Sequence, residues 1–257
     1  MTYLLIDGNN WFAQCHYANA SGAAVTFQRR LLTVLEQVPH VLAVVCWDAG
    51  PTFRHSLSSR YKAHRSAKPD DFYASLKKAR KLVDSAPGVE SFDCEGYEAD
   101  DCIASMVRIA HDEGEKAIMF SADRDLHQLL VTGMVSQVIG IKRATPSRLM
   151  FDAVTADRLE LKYGVKPIQW IDYRAIVGDT SDGIAGCEGL GKAAATEVLT
   201  QCKTLEGFFR TPFAAKIQQR QRTALTNYRS ELPLKRQLLT LVSDVPVPVA
   251  VLNRIHS

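Results

Sequence analysis

Three short runs leave this chain little freedom. Tyr3–Ile6, Val41–Trp47 and Ala117–Ser121 are apolar almost throughout, and an aspartate closes each one within a few residues: Asp7, Asp48 and Asp123. A strand apolar on both sides is buried on both sides, as happens in parallel sheets covered by helices. Between the first two runs, Phe27, Leu31, Val34 and Leu35 recur at helical spacing over Thr26–Gln37. Strand, helix, strand predicts a right-handed crossover. Asp7-Gly8-Asn9-Asn10 reads as a turn ahead of Trp11-Phe12.

Further along, Pro69-Asp70-Asp71 opens a helix over Phe72–Val83, and Val89–Cys94 reads as a strand. A helix follows from Glu98 to about His111, and Leu129–Ile141 reads as a helix end and further strand. From about Phe151 helices take over: Thr155–Tyr163, Pro167–Val177, Gly191–Gln201, and a basic helical stretch from Lys203 into the 230s. The Val- and Pro-rich last residues carry no assignable period.

The 257 residues are enough for one large domain or two small ones. No apolar run approaches the roughly 20 residues that a bilayer requires, and no cleavage signal opens the chain. The expectation is therefore a cytoplasmic protein that does not engage a membrane. The 6 cysteines form no CxxC pair and the 7 histidines no HExxH, so any metal would have oxygen ligands, which points to Mg2+ or Mn2+. Net charge is +3, laid out unevenly: bases crowd the stretch from Arg54 to Lys81, and acids gather elsewhere. A basic arm beside an acidic cluster suits a metal-dependent enzyme acting on phosphodiesters.

The acids are the sharpest signal. Asp7, Asp48 and the pair Asp123/Asp125 follow buried strands, and in an open parallel sheet the strands' carboxyl ends share one ligand-binding edge. Glu98, Asp100 and Asp101 open a helix, where a favourable dipole alone would explain them at roughly 0.3–1 kcal/mol each. Asp179 and Asp182 are three apart in Gly178-Asp179-Thr180-Ser181-Asp182 and share one side of a turn. So many converging carboxylates repel one another unless cations lie between them. In-line phosphodiester hydrolysis uses two such ions about 3.5–4 Å apart. Lys62 and Arg65, in the basic arm, are suited to holding the scissile phosphate.

Gly186-Cys187-Glu188-Gly189-Leu190-Gly191-Lys192 has the spacing of a nucleotide-binding loop, but Ala193 stands where a Ser or Thr must reach magnesium and no strand precedes it. No nucleotide cofactor is expected. The better reading is a hairpin between two helices, in which Gly189, Gly191 and Lys192 meet a DNA phosphate at a helix N-terminus.

These stretches resemble the structure-specific 5′-nucleases (flap endonucleases), most closely the 5′-nuclease domain of bacterial DNA polymerase I. The matching segments run in family order: Asp7-Gly8, Trp47-Asp48, Phe53-Arg54-His55, Arg60-Tyr61-Lys62-Ala63-His64-Arg65, Gly96-Tyr97-Glu98-Ala99-Asp100-Asp101, Ser121-Ala122-Asp123-Arg124-Asp125-Leu126, Trp170-Ile171-Asp172-Tyr173-Arg174-Ala175 and Gly178–Asp182. The resemblance implies an α/β fold: a PIN-like (Rossmann-like) parallel sheet core over residues 1–152, with a helical arch at about 54–90. A helical region with a helix–three-turn–helix DNA-binding module follows over 153–257.

The same resemblance implies that Asp7, Asp48, Glu98, Asp100, Asp101, Asp123 and Asp125 supply two metal positions, with Asp179 and Asp182 completing the second. It places Lys62 and Arg65 on the reacting phosphate, a base stacked on Tyr61, and DNA contacts at Arg54, Arg60, Arg174, Gly189, Gly191 and Lys192. It further implies K+ held by carbonyls within Gly186–Gly191, and substrates that are DNA with 5′ ends, flaps or RNA primers. A monomeric, free-standing nuclease is expected, in a bacterial or phage-infected cell. Gly183 and Ala185 depart from the family's usual Asn and Pro, and Ala193-Ala194-Ala195 stands where the family commonly has Lys-Thr-Ala, the lysine moving to Lys192. The rival readings are a PIN-type ribonuclease, which would end near residue 150 without the hairpin, and a catalytically silent DNA-junction binding protein, which would lack acids.

Overall fold

The computed structural model describes residues 2–145 and 148–255. In chain order the elements are β1 Thr2–Asp7, α1 Gly8–Ala18, α2 Ala23–Gln37, β2 Leu42–Cys46, α3 Phe53–Leu57, α4 Asp70–Asp84, β3 Val89–Phe92, α5 Ala99–Asp112 and β4 Lys116–Phe120. Then come β5 Val135–Thr145, β6 Arg148–Val154, α6 Ala156–Tyr163, α7 Trp170–Val177, α8 Lys192–Cys202, α9 Leu205–Arg210, α10 Gln219–Asn227, α11 Leu232–Leu239 and α12 Val249–Ile255. Among the described residues no helix is long and apolar enough to cross a membrane.

The chain divides into two compact units. The first, 1–52, 66–155 and 241–257, is built on a sheet ordered β3-β2-β1-β4-β5-β6. All pairings are parallel except the β5–β6 hairpin at one edge. Leu4, Ile6, Ala43, Val45, Phe120 and Val138 form one core with Trp11 and Phe12 of α1, Phe27, Leu31 and Val34 of α2, and Phe72, Ala79 and Val83 of α4. Leu5 and Val44 alternate with these, are equally buried, and face the side that α5 covers. Each such side chain contributes roughly 1.5–3 kcal/mol by leaving water. The chain passes from β1 out to β3 and then returns to the far side of β1 with β4, so the strand order reverses beside β1.

Asp7-Gly8-Asn9-Asn10 is no separate turn. Helix α1 begins at Gly8, and the Asp7 carboxylate caps it by accepting the Asn10 N–H at 2.9 Å. A Cβ at Gly8 would overlap the Trp47 ring, which is why glycine stands there.

The second unit, 53–65 and 156–240, is helical. A 3-10 turn at Pro167–Gln169 leads into α7, where the sequence pattern ran as one helix. Gly178 ends α7 with φ +82°, a conformation open to glycine at little cost. Ala195, Val198, Leu199 and Cys202 make the buried stripe of α8 at helical spacing. The stretch from Lys203 breaks into α9, α10 and α11, interrupted at Thr211-Pro212. Asp172 of α7 accepts the Leu205 N–H and pairs with Arg236 of α11, which ties these helices together.

Candidate active site

In the core unit the acids gather where β1, β2 and β4 end. Asp7 closes β1, Asp48 lies two residues past β2, and Asp123 three past β4. Asp7 is buried, and its second oxygen accepts the Ser121 hydroxyl at 2.7 Å. That hydroxyl also accepts the Asp123 N–H, at 3.0 Å, so one serine links two of the acids. The Asp48 carboxylate takes the first amide of α5, Ala99 N–H, at 2.9 Å, which brings β2 up to the helix that carries Glu98 and Asp100. Burial and the neighbouring Asp48 carboxylate, with a smaller contribution from Asp123, push the Asp7 carboxyl up to about 7. The Asn10 and Ser121 hydrogen bonds act the other way.

Asp101 stands apart from this group. It is fully buried, and its oxygens accept the Glu98 N–H at 3.1 Å and the Val242 N–H at 2.9 Å. Expected as a metal ligand, it is committed to closing the α5 N-terminus and holding the irregular segment 241–248 that follows α11. Sequence reasoning passed over the supporting shell: Asn9 accepts the Asp48 N–H, Asn10 the Ala122 N–H, and Gln137 donates to the Ser121 and Asp123 carbonyls. The only signal for it was that Asn9, Asn10 and Ser121 lie inside the acid-bearing segments.

The helical unit holds the other charges. Arg65 reaches the Asp182 carboxylate at 2.6 Å and the Ser181 carbonyl at 3.1 Å, and Lys62 lies 3.8 Å from Asp182. The Lys62 N–H donates to the Asp182 carbonyl at 2.9 Å, with Lys62 itself in the left-handed region at φ +53°. Gly183, at φ +71°, faces the Arg60 carbonyl, which would lie 2.6 Å from a Cβ there. The departure from the family's asparagine thus has a local reason: only glycine lets the Arg60 backbone come so close. Asp179 pairs with Arg174 and accepts the Ser181 N–H and hydroxyl.

The residues expected on DNA divide. Arg60, Gly189, Gly191 and Lys192 are exposed. Gly191 precedes the first turn of α8, and Gly189 has φ +77°. Arg54 is only 1% exposed; its guanidinium donates to the Leu238 and Thr240 carbonyls at 3.0 and 2.9 Å, satisfying the end of α11 instead of meeting DNA. Tyr61 is 3% exposed, edge-on to His55, and presents no open face for a base. Arg174 is engaged by Asp179 as described.

A buried carboxylate whose proton affinity rises beside acidic neighbours fits a hard divalent cation. Asp7, Asp48 and Asp123 offer only oxygen donors, the set Mg2+ and Mn2+ prefer.

The core unit is thus an open α/β sheet with carboxylates at its strand ends, and the helical unit carries a glycine hairpin. The chain belongs to the 5′-3′ exonuclease family: residues 2–164 match the 5′-3′ exonuclease N-terminal resolvase-like domain and residues 165–255 the 5′-3′ exonuclease C-terminal SAM fold. It is 34% identical over 255 residues to the thermostable DNA polymerase I of Thermus thermophilus, covering 96% of this chain and 29% of that one. Against DNA polymerase I of Deinococcus radiodurans identity is 33% over 258 residues, covering 96% and 26%. The chain thus spans under a third of these relatives' length.

In fold it is similar to the T5 5′-exonuclease with bound zinc, at TM-score 0.79 and 21% identity over 99% of this chain and 93% of that one. It is also similar to human GEN1 in complex with Holliday junction DNA, at TM-score 0.66 and 13% identity, covering 96% and 62%. The expected family and the α/β fold with its C-terminal helical region are borne out.

Proposed function

We propose that the chain is a Mg2+- or Mn2+-dependent 5′→3′ exonuclease and 5′-flap endonuclease, hydrolysing phosphodiester bonds of DNA with a free or flapped 5′ end, RNA-primed ends included. The group of Asp7, Asp48 and Asp123 at the strand ends carries this reading, because acidic neighbours crowding the buried Asp7 carboxylate suit a divalent cation between them. Membership of the 5′-3′ exonuclease family supports it. So does a T5 flap endonuclease neighbour that was captured as a pseudo-enzyme-product complex with DNA and metal ions.

In this reading Asp7, Asp48, Glu98, Asp100, Asp123 and Asp125 hold the metal ions, Asp101 props their helix, and Asp179 and Asp182 contribute to the second position. Bound divalent ions supply an activated water and neutralise the leaving oxygen. Lys62 and Arg65, preset by the Asp182 turn, grip the non-bridging oxygens of the scissile phosphate and offset charge as it builds. The helical region over 153–257 holds duplex DNA, with amides at the α8 N-terminus on a backbone phosphate and K+ on carbonyls within 186–191. The protein works as a monomer in the cytoplasm of a bacterial or phage-infected cell.

Cleavage of a 5′-flap duplex labelled at its 5′ end tests this. Short labelled products should need Mg2+ or Mn2+, stop with EDTA, and vanish with Asp123→Asn. Lys62→Ala should lower the rate by roughly two orders of magnitude while flap binding persists. Tight flap binding without products under either metal would instead make the protein a silent junction binder.

A further inference from the structure

The helical unit carries a basic cleft whose walls include neither the glycine hairpin nor any acid of the proposed site. It encloses about 600 Å³ between the end of α9, the turn after α10, and α11, with Glu206, Phe209, Arg210, Arg229, Pro233 and Arg236 in its walls. Three guanidiniums in one cleft repel one another, so their partners decide what the cleft can accept.

Arg236 is already satisfied. It donates to Asp172 Oδ1 from Nε at 3.0 Å and from Nη2 at 2.6 Å, and it also pairs with Glu206. Those contacts hold its charge in place, and they use up Glu206, the acid of the cleft wall. Among the described residues Arg229 meets no carboxylate; it lies over the Phe209 ring, 5.1 Å from its centroid. A guanidinium stacked in this way keeps its N–H edge open for an in-plane, two-oxygen acceptor. Arg210 is exposed at the same mouth and forms no ion pair among the described residues. Pro233 and the Phe209 ring add apolar surface beside these two cations.

We infer that this cleft is a second nucleic-acid site, binding a nucleotide unit whose phosphate sits between Arg210 and Arg229 and whose sugar or base rests on Phe209 and Pro233. A phosphate satisfies both open guanidinium edges, and an amphipathic nucleotide matches a cleft that is cationic at its mouth and apolar along its wall. The nuclease reading enters only in the choice of DNA as a probe.

The test is binding measured in EDTA, so that cleavage plays no part and its failure is read separately. Anisotropy of a labelled 5′-flap duplex reports a phosphate within a strand, and calorimetry with deoxyadenosine 5′-monophosphate reports a free nucleotide. The variant pair Arg210→Glu with Arg229→Glu is compared with Arg158→Glu with Lys162→Glu, a matched charge change on α6. Arg210→Gln with Arg229→Gln serves as a gentler second variant, and circular dichroism melting verifies that each folds. The cleft pair should weaken at least one probe about tenfold beyond the α6 pair, and should lower the salt slope of DNA binding by about two. Loss confined to the mononucleotide would identify free product as the ligand, and loss confined to the flap a strand phosphate. If neither cleft pair weakens either probe beyond the α6 pair, the site does not exist.

Discussion

Asp7 carries the heaviest electrostatic load in the core, and its protonation makes a measurable demand. Its carboxyl titrates at about 7 in the folded chain against an ordinary 3.8. Between those values the folded protein keeps a proton that the unfolded chain has released, so without metal the contribution of Asp7 to stability is fully present below about pH 4 and is lost as pH rises through about 7. The full cost is on the order of 4 kcal/mol. Thermal melting in EDTA at pH 5 and pH 8 should show this loss, Asp7→Asn should shrink it, and Mg2+ at pH 8 should recover much of it. Equal pH slopes in the wild type and Asp7→Asn would remove Asp7 as the cause.

Arg54 shows a different kind of buried charge, one spent on two carbonyls at the end of α11. Arg54→Ala should cost roughly 2–4 kcal/mol in denaturant unfolding, because both carbonyls lose a charged donor. From sequence, Arg54 looked like any other base in a basic arm. Burial by a segment some 180 residues away leaves no local trace, whereas an acid straight after an apolar strand does, and those acids were legible.

At the scale of elements, the C-terminal strap shows where pattern reading stops. Residues 241–248 have no helical or strand period, yet they are bound to the core unit by single hydrogen bonds. The Leu241 N–H donates to Gln128, the Val242 N–H to Asp101 and the Val245 N–H to the Ser105 hydroxyl. Backbone amides docking on side chains follow no periodicity, so nothing in the order of residues announced them. Ser105→Ala should cost about 1–2 kcal/mol and lower the melting temperature by several degrees. The Arg60–Lys62 turn and the Gly178–Ile184 turn are similarly joined through Gly183. Gly183→Val, which strains a positive φ and collides with the Arg60 carbonyl, should destabilise by more than 1 kcal/mol and slow flap cleavage more than flap binding. A change in binding alone would show that the turn does not position Lys62. Strands β1, β2 and β4 were readable because burial on both faces leaves short, largely apolar runs, and α2, α4, α5 and α8 because burial imposes a period of 3.6; β6, at Arg148–Val154 with one half-covered face, was not read. The helices after Lys203 were not separable, because Thr211-Pro212 and the short runs around it carry too few turns to show a phase.

At the scale of the molecule, a net charge of +3 hides a division of labour between bases that suit phosphates and acids that suit cations. Binding of flap DNA should accordingly weaken about tenfold or more between 50 and 200 mM salt, even though the overall charge is small. The central claim concerns the acids, and it can be counted directly. Titration with Mn2+, followed by the loss of the free-ion electron paramagnetic resonance signal, measures bound ions without requiring catalysis. The account predicts about two ions per chain at pH 7.5, as a two-metal reaction requires, with sites lost in Asp123→Asn and in Asp182→Asn. No binding at millimolar Mn2+, or binding that neither substitution alters, would contradict it.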